Sequence, residues 1–192
     1  MTLYGFVKCY MSERFGLDKS LASLQDKCDR ILVGDGWFPP EAWGGNLDYW
    51  RKRYPPGNAS SDGTYACAKR FRNMEWVPAP REPYKDETEK MNVMLKHVPD
   101  GSWVLMQDPD ELFVGDPRTL MMNGIPGPAD VVPVLVKDKQ GGALFYHRLF
   151  RKKPGVTFST HHSLQYPNGG VVELYMGGLS DRHYILHERT EG

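Results

Sequence analysis

The sequence predicts an α/β protein whose mostly parallel sheet is flanked by helices, with a small antiparallel part near the C-terminus. Three observations predict it. A strand, a helix and a second strand follow one another with short joints over residues 3–36, the pattern of a crossover unit joining parallel strands. The apolar runs Ile31-Leu32-Val33 and Trp103–Met106 are continuous rather than alternating, as in strands covered on both faces. A segment of helical period at 85–101 runs directly into the second of those strands.

"LYGFVKCY" (3–10) mixes apolar, aromatic and β-branched residues as a partly buried strand does. "DKSLASLQDKC" (18–28) places Leu21, Leu24 and Cys28 at helical spacing, with Asp18 as its candidate N-cap. "DRILVGDG" (29–36) is a buried strand stopped by Gly-Asp-Gly. Residues 37–63 are rich in Pro, Gly and aromatics and show no period. They predict an ordered loop or rim, since disordered chain is poor in aromatics. A capped helix follows, starting within Ser60–Thr64, and then a short strand at 74–80. The helix over 85–101 carries an apolar stripe of Met91, Met94 and Leu95, an acidic first turn, and a Pro-Asp-Gly stop. Strands are predicted at 130–138 and 142–152 about a "KQGG" turn, and strand-like pieces at 169–176 and 182–190.

The 192 residues are read as one domain, with 1–116 as its first half and 117–192 as its second. Lys plus Arg and Asp plus Glu number 24 each, so no general field favours nucleic acid or an anionic membrane. No apolar run approaches the roughly 20 residues of a membrane span. Residues 1–16 show no signal-peptide pattern, and the three scattered cysteines fit buried thiols in a reducing compartment, so a cytoplasmic protein is expected.

In an open parallel sheet, ligands bind beyond the carboxyl ends of the strands. Two buried strands end in acid here, one at Asp35-Gly36 and one at Asp108-Pro109-Asp110-Glu111. Carboxylates this close raise one another's pKa unless a cation or a solvated turn relieves them. An Asp-x-Asp turn at a strand end suits a hard divalent cation, Mg²⁺ or Mn²⁺, with substrate phosphates completing the shell. A solvated acidic turn explains the same four residues equally well.

The order and spacing of Asp35-Gly36, "SSDGT", "ETEKMN" and "GSWVLMQDPDELF" resemble family-2-type glycosyltransferases of the GT-A (Rossmann-like) fold, over about residues 3–116. "HRLFRKKPGVTF" and a late His-x-Arg are weaker echoes. The resemblance implies a hexosyltransferase-like enzyme whose donor is a UDP- or GDP-linked sugar and whose acceptor is a carbohydrate, lipid or protein. It places Asp35 and Gly36 at the nucleoside and Lys90 near the diphosphate. Asp108 and Asp110 become metal and ribose-phosphate contacts, Asp110 the one expected to ligate directly, with His187 completing the metal site. The sequence departs from that pattern at Pro109, where small residues are usual, and after the first strand. Its end at Gly192 leads one to expect an acceptor half that is either minimal or cut.

Four further histidines, His147, His161, His162 and His183, fall in the same last quarter of the chain as His187. An inverting transferase also needs a carboxylate base for the acceptor hydroxyl. Asp181 and Glu173 are the candidates, Glu111 being drawn to the metal motif, and each is equally readable as a solvent-facing acid. Arg148, Arg151, Lys152 and Lys153 form a basic run that reads first as a solvated strand end. The aromatics of residues 37–50 could stack on sugar faces. Two other classes stay open: nucleotidyl transfer on a similar fold, and a non-catalytic nucleotide-sugar or glycan-binding module. A P-loop is absent from the sequence.

Overall fold

The structure, a computed structural model, describes residues 1–39, 47–53, 55–122, 131–160, 163–165 and 182–188. Strand β1 (Leu3–Lys8), helix α1 (Leu17–Gln25) and strand β2 (Arg30–Gly34) form the expected crossover unit. β1 and β2 pair in parallel, with Lys8 opposite Gly34. Asp18 is not the N-cap of α1: a 3₁₀ turn at Glu13–Phe15 precedes the helix, and Gly16 joins the two in the left-handed region at φ 89°. That junction starts the helix one residue before Asp18, whose charge instead lies in the first turn, facing the positive end of the helix dipole.

The segment expected as loop from 37 to 63 contains helix α2 (Leu47–Arg53). Helix α3 (Thr64–Ala68) begins where the Asp62 carboxylate accepts the Thr64 N–H. Strand β3 (Met74–Val77) and helix α4 (Glu87–Leu95) follow. At the head of α4, Asp86 accepts the Glu89 N–H at 2.8 Å while Glu89 accepts the Lys85 N–H at 2.6 Å, a reciprocal cap. Next come β4 (Trp103–Gln107), β5 (Glu111–Val114) and α5 (Pro117–Met122). The rest of the sheet is β6 (Val131–Asp138), β7 (Ala143–Arg151) and β10 (Tyr184–His187), with β8 (Thr157–Thr160) and β9 (Ser163–Gln165) forming a separate hairpin. The strand-like stretch 169–176 lies outside the described residues.

The main sheet has eight strands in the order β3-β2-β1-β4-β7-β6-β10-β5. β3, β2, β1 and β4 pair in parallel, and β6 pairs in parallel with β10. β7 is antiparallel to both β4 and β6, so those two run the same way, and β5 is antiparallel to β10. Every strand except β7 and β5 therefore ends at the same edge.

Alternation in the inner strands splits the core into two layers. Leu3, Val7, Ile31, Val33, Trp103 and Leu105 pack with Leu17, Leu21 and Leu24 of α1 on one face. Tyr4, Phe6, Leu32, Val104 and Met106 pack with Met91, Met94 and Leu95 of α4 on the other, where Phe158 of β8 also sits. The register of β6 and β7 shifts between Val132 and Val134, leaving one extra residue on β7 between its partners Leu149 and Tyr146. Pro133, which has no N–H to give the ladder, occupies the irregular position. The bulge changes the parity of β7: Tyr146 and Leu149, three apart, pack against the same layer. Bulges of this kind re-aim side chains beside functional sites, and Arg148 lies within this one.

Candidate functional site at the carboxyl edge of the sheet

Lys8 ends β1, Asp35 follows β2, Asp108 follows β4, Asp138 ends β6 and His187 ends β10. Asp35 and the acidic turn therefore share one edge, as expected. They are separated by β1 alone, or about 10 Å at the usual strand spacing.

The acids do not form a solvated turn. Asp108 accepts the Glu111 N–H through its carbonyl at 3.0 Å, closing a β-turn with Pro109 at the second position, where its fixed φ is favourable. Gln107, almost wholly buried, donates its amide to the Glu111 carbonyl at 2.8 Å and to the Ser20 hydroxyl of α1 at 2.7 Å. The Ser20 hydroxyl itself donates to the Asp108 carbonyl at 3.1 Å. Glu111, 2% exposed, returns a carboxylate oxygen to the Asp108 N–H at 2.7 Å.

Two cations sit under this turn. Lys8 Nζ donates to Asp108 Oδ1 and lies 3.0 Å from Glu87 of α4. Arg148, 4% exposed, donates from Nη2 to Asp108 Oδ2 at 3.2 Å and to Glu111 Oε1 at 2.8 Å. Burial opposes ionisation of Asp108, but Lys8 and Arg148 outweigh it and hold this carboxyl well below the usual range. Burial pushes the Glu111 carboxyl up, with Arg148 acting against it. The reading of Arg148 as part of a solvated strand end is corrected here, because the bulge turns its side chain into the sheet edge. Arg151, by contrast, is exposed, and Lys152 donates to the Val98 carbonyl.

Asp110 is held differently. Its carbonyl accepts the Glu188 N–H at 2.8 Å, and its Oδ2 lies 3.1 Å from His187 Nε2. Both side chains keep about a quarter of their surface, at 27% and 22% exposed. The hydrogen bond to Asp110 raises the His187 pKa, against the burial of the ring. An oxygen and an imidazole nitrogen converging at a strand end fit a divalent cation that takes its remaining ligands from a substrate. Asp108, with both oxygens on cations, does not offer the same opening. Among the described residues no group of three or more His, Cys, Asp and Glu side chains converges as a metal site.

Asp35, 3% exposed, accepts the Ser60 N–H at 2.9 Å on one oxygen and the Ser60 hydroxyl at 2.6 Å on the other. Gly36 adopts φ 124°, and a Cβ there would fall 2.5 Å from the Tyr84 ring. Lys90 is 1% exposed, with its ammonium taken up by the chain. Its Nζ donates to the carbonyls of Cys9 at 2.6 Å and Gly36 at 2.7 Å, tying together the chain beyond β1 and β2. Burial lowers its pKa to about 8. The Tyr84 hydroxyl beside it is buried without a hydrogen-bond partner.

Asp181, Glu173, His161, His162 and Trp43 lie outside the described residues, as do the side chains of Tyr49 and Trp50. Phe38 is buried, with the Lys90 ammonium 5.9 Å from its ring centroid. His183 accepts the Asp116 N–H at 3.0 Å and so steadies the chain after β5. Cys9, Cys28 and Cys67 are buried free thiols. No described helix is long and apolar enough to cross a membrane.

No family model and no curated protein matches the chain. Among solved structures it is similar to TarS of S. aureus, a glycosyltransferase, at 18% identity and a TM-score of 0.53. The match covers 75% of this chain but only 23% of TarS. At that identity the likeness speaks for the fold.

Proposed function

We propose that the chain is a metal-dependent glycosyltransferase that moves a sugar from a UDP- or GDP-linked donor to a carbohydrate, lipid or protein acceptor. The observation that carries this reading is the convergence of Asp110 and His187 on the sheet edge that also bears Asp35. The general fold likeness to a glycosyltransferase supports it.

In this reading Asp35 meets the nucleoside. Ser60 fixes its orientation, and each carboxylate oxygen retains a lone pair for a ribose hydroxyl or base N–H. Asp110 and His187 hold Mn²⁺ or Mg²⁺. Once bound, the ion supplies neutralisation of the charge that grows on the departing diphosphate. Lys90 acts through the backbone, fixing the Cys9 and Gly36 carbonyls that shape the pocket floor. Asp181 or Glu173 serves as the base for an inverting route.

Calorimetric titration of UDP, GDP and their sugars, with and without Mn²⁺, tests the assignment on the wild type and on Asp110→Asn. Metal-dependent nucleotide binding that disappears in the variant is the expected result. Binding that ignores both metal and substitution would remove the donor site from this edge. Product analysis separates the rival chemistry: sugar transfer releases the nucleoside diphosphate, whereas nucleotidyl transfer joins a nucleoside monophosphate to a sugar phosphate.

A further inference from the structure

We propose that Lys8 and Arg148 clamp Asp108 as a fixed support of the turn, so that Asp108 positions the Asp110–His187 pair and is not itself a ligand of the divalent cation. The inference rests on the donor-site reading above, in which Asp110 binds the ion, and gives Asp108, Lys8 and Arg148 their part in that site.

A ligating carboxylate must direct a lone pair at the ion. Oδ1 of Asp108 faces the Lys8 ammonium and Oδ2 faces the Arg148 guanidinium. A dication brought to Asp108 would meet two fixed positive charges at contact range. Neither cation is at liberty to swing away. Lys8 is braced by Glu87 at 3.0 Å and Arg148 by Glu111 at 2.8 Å. The guanidinium is also buried with its Nε unpartnered among the described residues, so its orientation answers to the two carboxylates and not to satisfaction of every N–H.

The clamp ties β1, α4, β7 and the start of β5 to one residue of the turn. Asp108 is then anchored by side chain, N–H and carbonyl together. Asp110, two residues on, keeps its side chain outside this network, and its carbonyl draws in Glu188 and hence His187. Asp108 is thus a positioning residue and Asp110 a binding one.

Mn²⁺ binding, followed by electron paramagnetic resonance with saturating UDP or GDP, separates the two roles. Asp108→Asn keeps the side-chain shape and is expected to weaken Mn²⁺ binding by no more than about tenfold, the lower range for a group outside the ligand set. Asp110→Asn is expected to abolish it. Lys8→Met frees one Asp108 oxygen for the ion, so in that background Asp108→Asn is expected to weaken Mn²⁺ binding by more than about tenfold, a new dependence that damage to the fold would not create. Lys8→Arg is expected to restore the wild-type response. If Asp108→Asn abolishes binding while the wild type binds, the clamp is overturned and the donor site stands. If Asp108→Asn has the same effect with and without Lys8→Met, the clamp is likewise overturned.

If the wild type binds no Mn²⁺ with UDP or GDP present, the donor-site reading fails, and urea unfolding of the metal-free protein decides the clamp. The Lys8→Met/Asp108→Asn cycle is then expected to depart from additivity by about tenfold or more in the unfolding constant. Additive effects would overturn it.

Discussion

Replacing Lys90 by Met should change how stability depends on pH. Lys90 Nζ is buried to 1% exposure between two backbone carbonyls, and burial lowers its pKa to about 8 from an ordinary 10.5. The folded value lies below the unfolded one. Below pH 8 both states hold the proton and the whole cost of burying the charge is felt. Between pH 8 and 10.5 the unfolded chain keeps the proton that the folded chain has lost, so stability rises with pH. With these two values, the Lys90 contribution grows by about 1.3 kcal/mol between pH 7 and pH 9. The two carbonyls that lose their donor in Lys90→Met add a loss that does not vary with pH. Ionisation of unfolded cysteines enters both proteins alike and cancels in the difference. Urea unfolding at pH 7, 8 and 9 at constant ionic strength gives that difference directly. A gap between wild type and variant that stays flat or moves the other way would refute a charged, desolvated Lys90 beneath Gly36.

Arg148→Met leaves Asp108 and Glu111 without their guanidinium and should destabilise the fold by about 3–5 kcal/mol, lowering Tm by roughly 10 °C in a calorimetric scan. The double variant Arg148→Met/Glu111→Leu should recover part of that loss, and no recovery would mean that Arg148 acts by packing alone. Gly34→Ala places a Cβ 2.3 Å from the Met94 sulfur, which is itself fully buried. It should cost about 1–3 kcal/mol by overpacking, with part regained when Met94 is shortened to Val, read by urea unfolding. His187→Ala should narrow the preference for Mn²⁺ over Mg²⁺ in nucleotide binding, because imidazole suits the softer ion; an unchanged preference would take His187 out of the metal site.

The sheet was legible in the sequence because its evidence is local. Continuous apolar runs, a helical period between them and acids at strand ends need no long-range knowledge, and Asp35 and Asp110 follow from them. The partners of Asp108 were not legible in the same way. Lys8 lies 100 residues from Asp108 and Arg148 lies 40 away, and only the insertion of β7 beside β4 brings Arg148 there. Nothing in "ALFYHRLFRK" announces the bulge that re-aims it, although Pro133 in a strand hints at an irregular ladder. Lys8 could have been found: the rule that singles out Asp35, a polar residue where a buried parallel strand ends, applies to it equally. β5 escaped notice because it is four residues long and begins with a buried glutamate, read as the last acid of the turn. In α2 two adjacent aromatics are followed by three basic residues without an apolar stripe, so no helical period announced it.

The same partners explain why a buried strand can run into three acids. Lys8 and Arg148 stand against Asp108, Glu111 and Glu87, two cations to three carboxylates. The network beneath the turn is therefore close to charge-neutral. Asp110 is the acid of the turn whose charge is not absorbed by that network, and His187 stands beside it. A site for a nucleotide diphosphate must attract a cation at one point without repelling a polyanion everywhere else. A neutralised platform carrying one carboxylate outside its network meets both demands, and Pro109 holds that carboxylate in place by fixing the turn between the clamped acid and the one beside His187. Two unpaired carboxylates at this edge would bind a cation more strongly but would also repel the donor before the cation arrived.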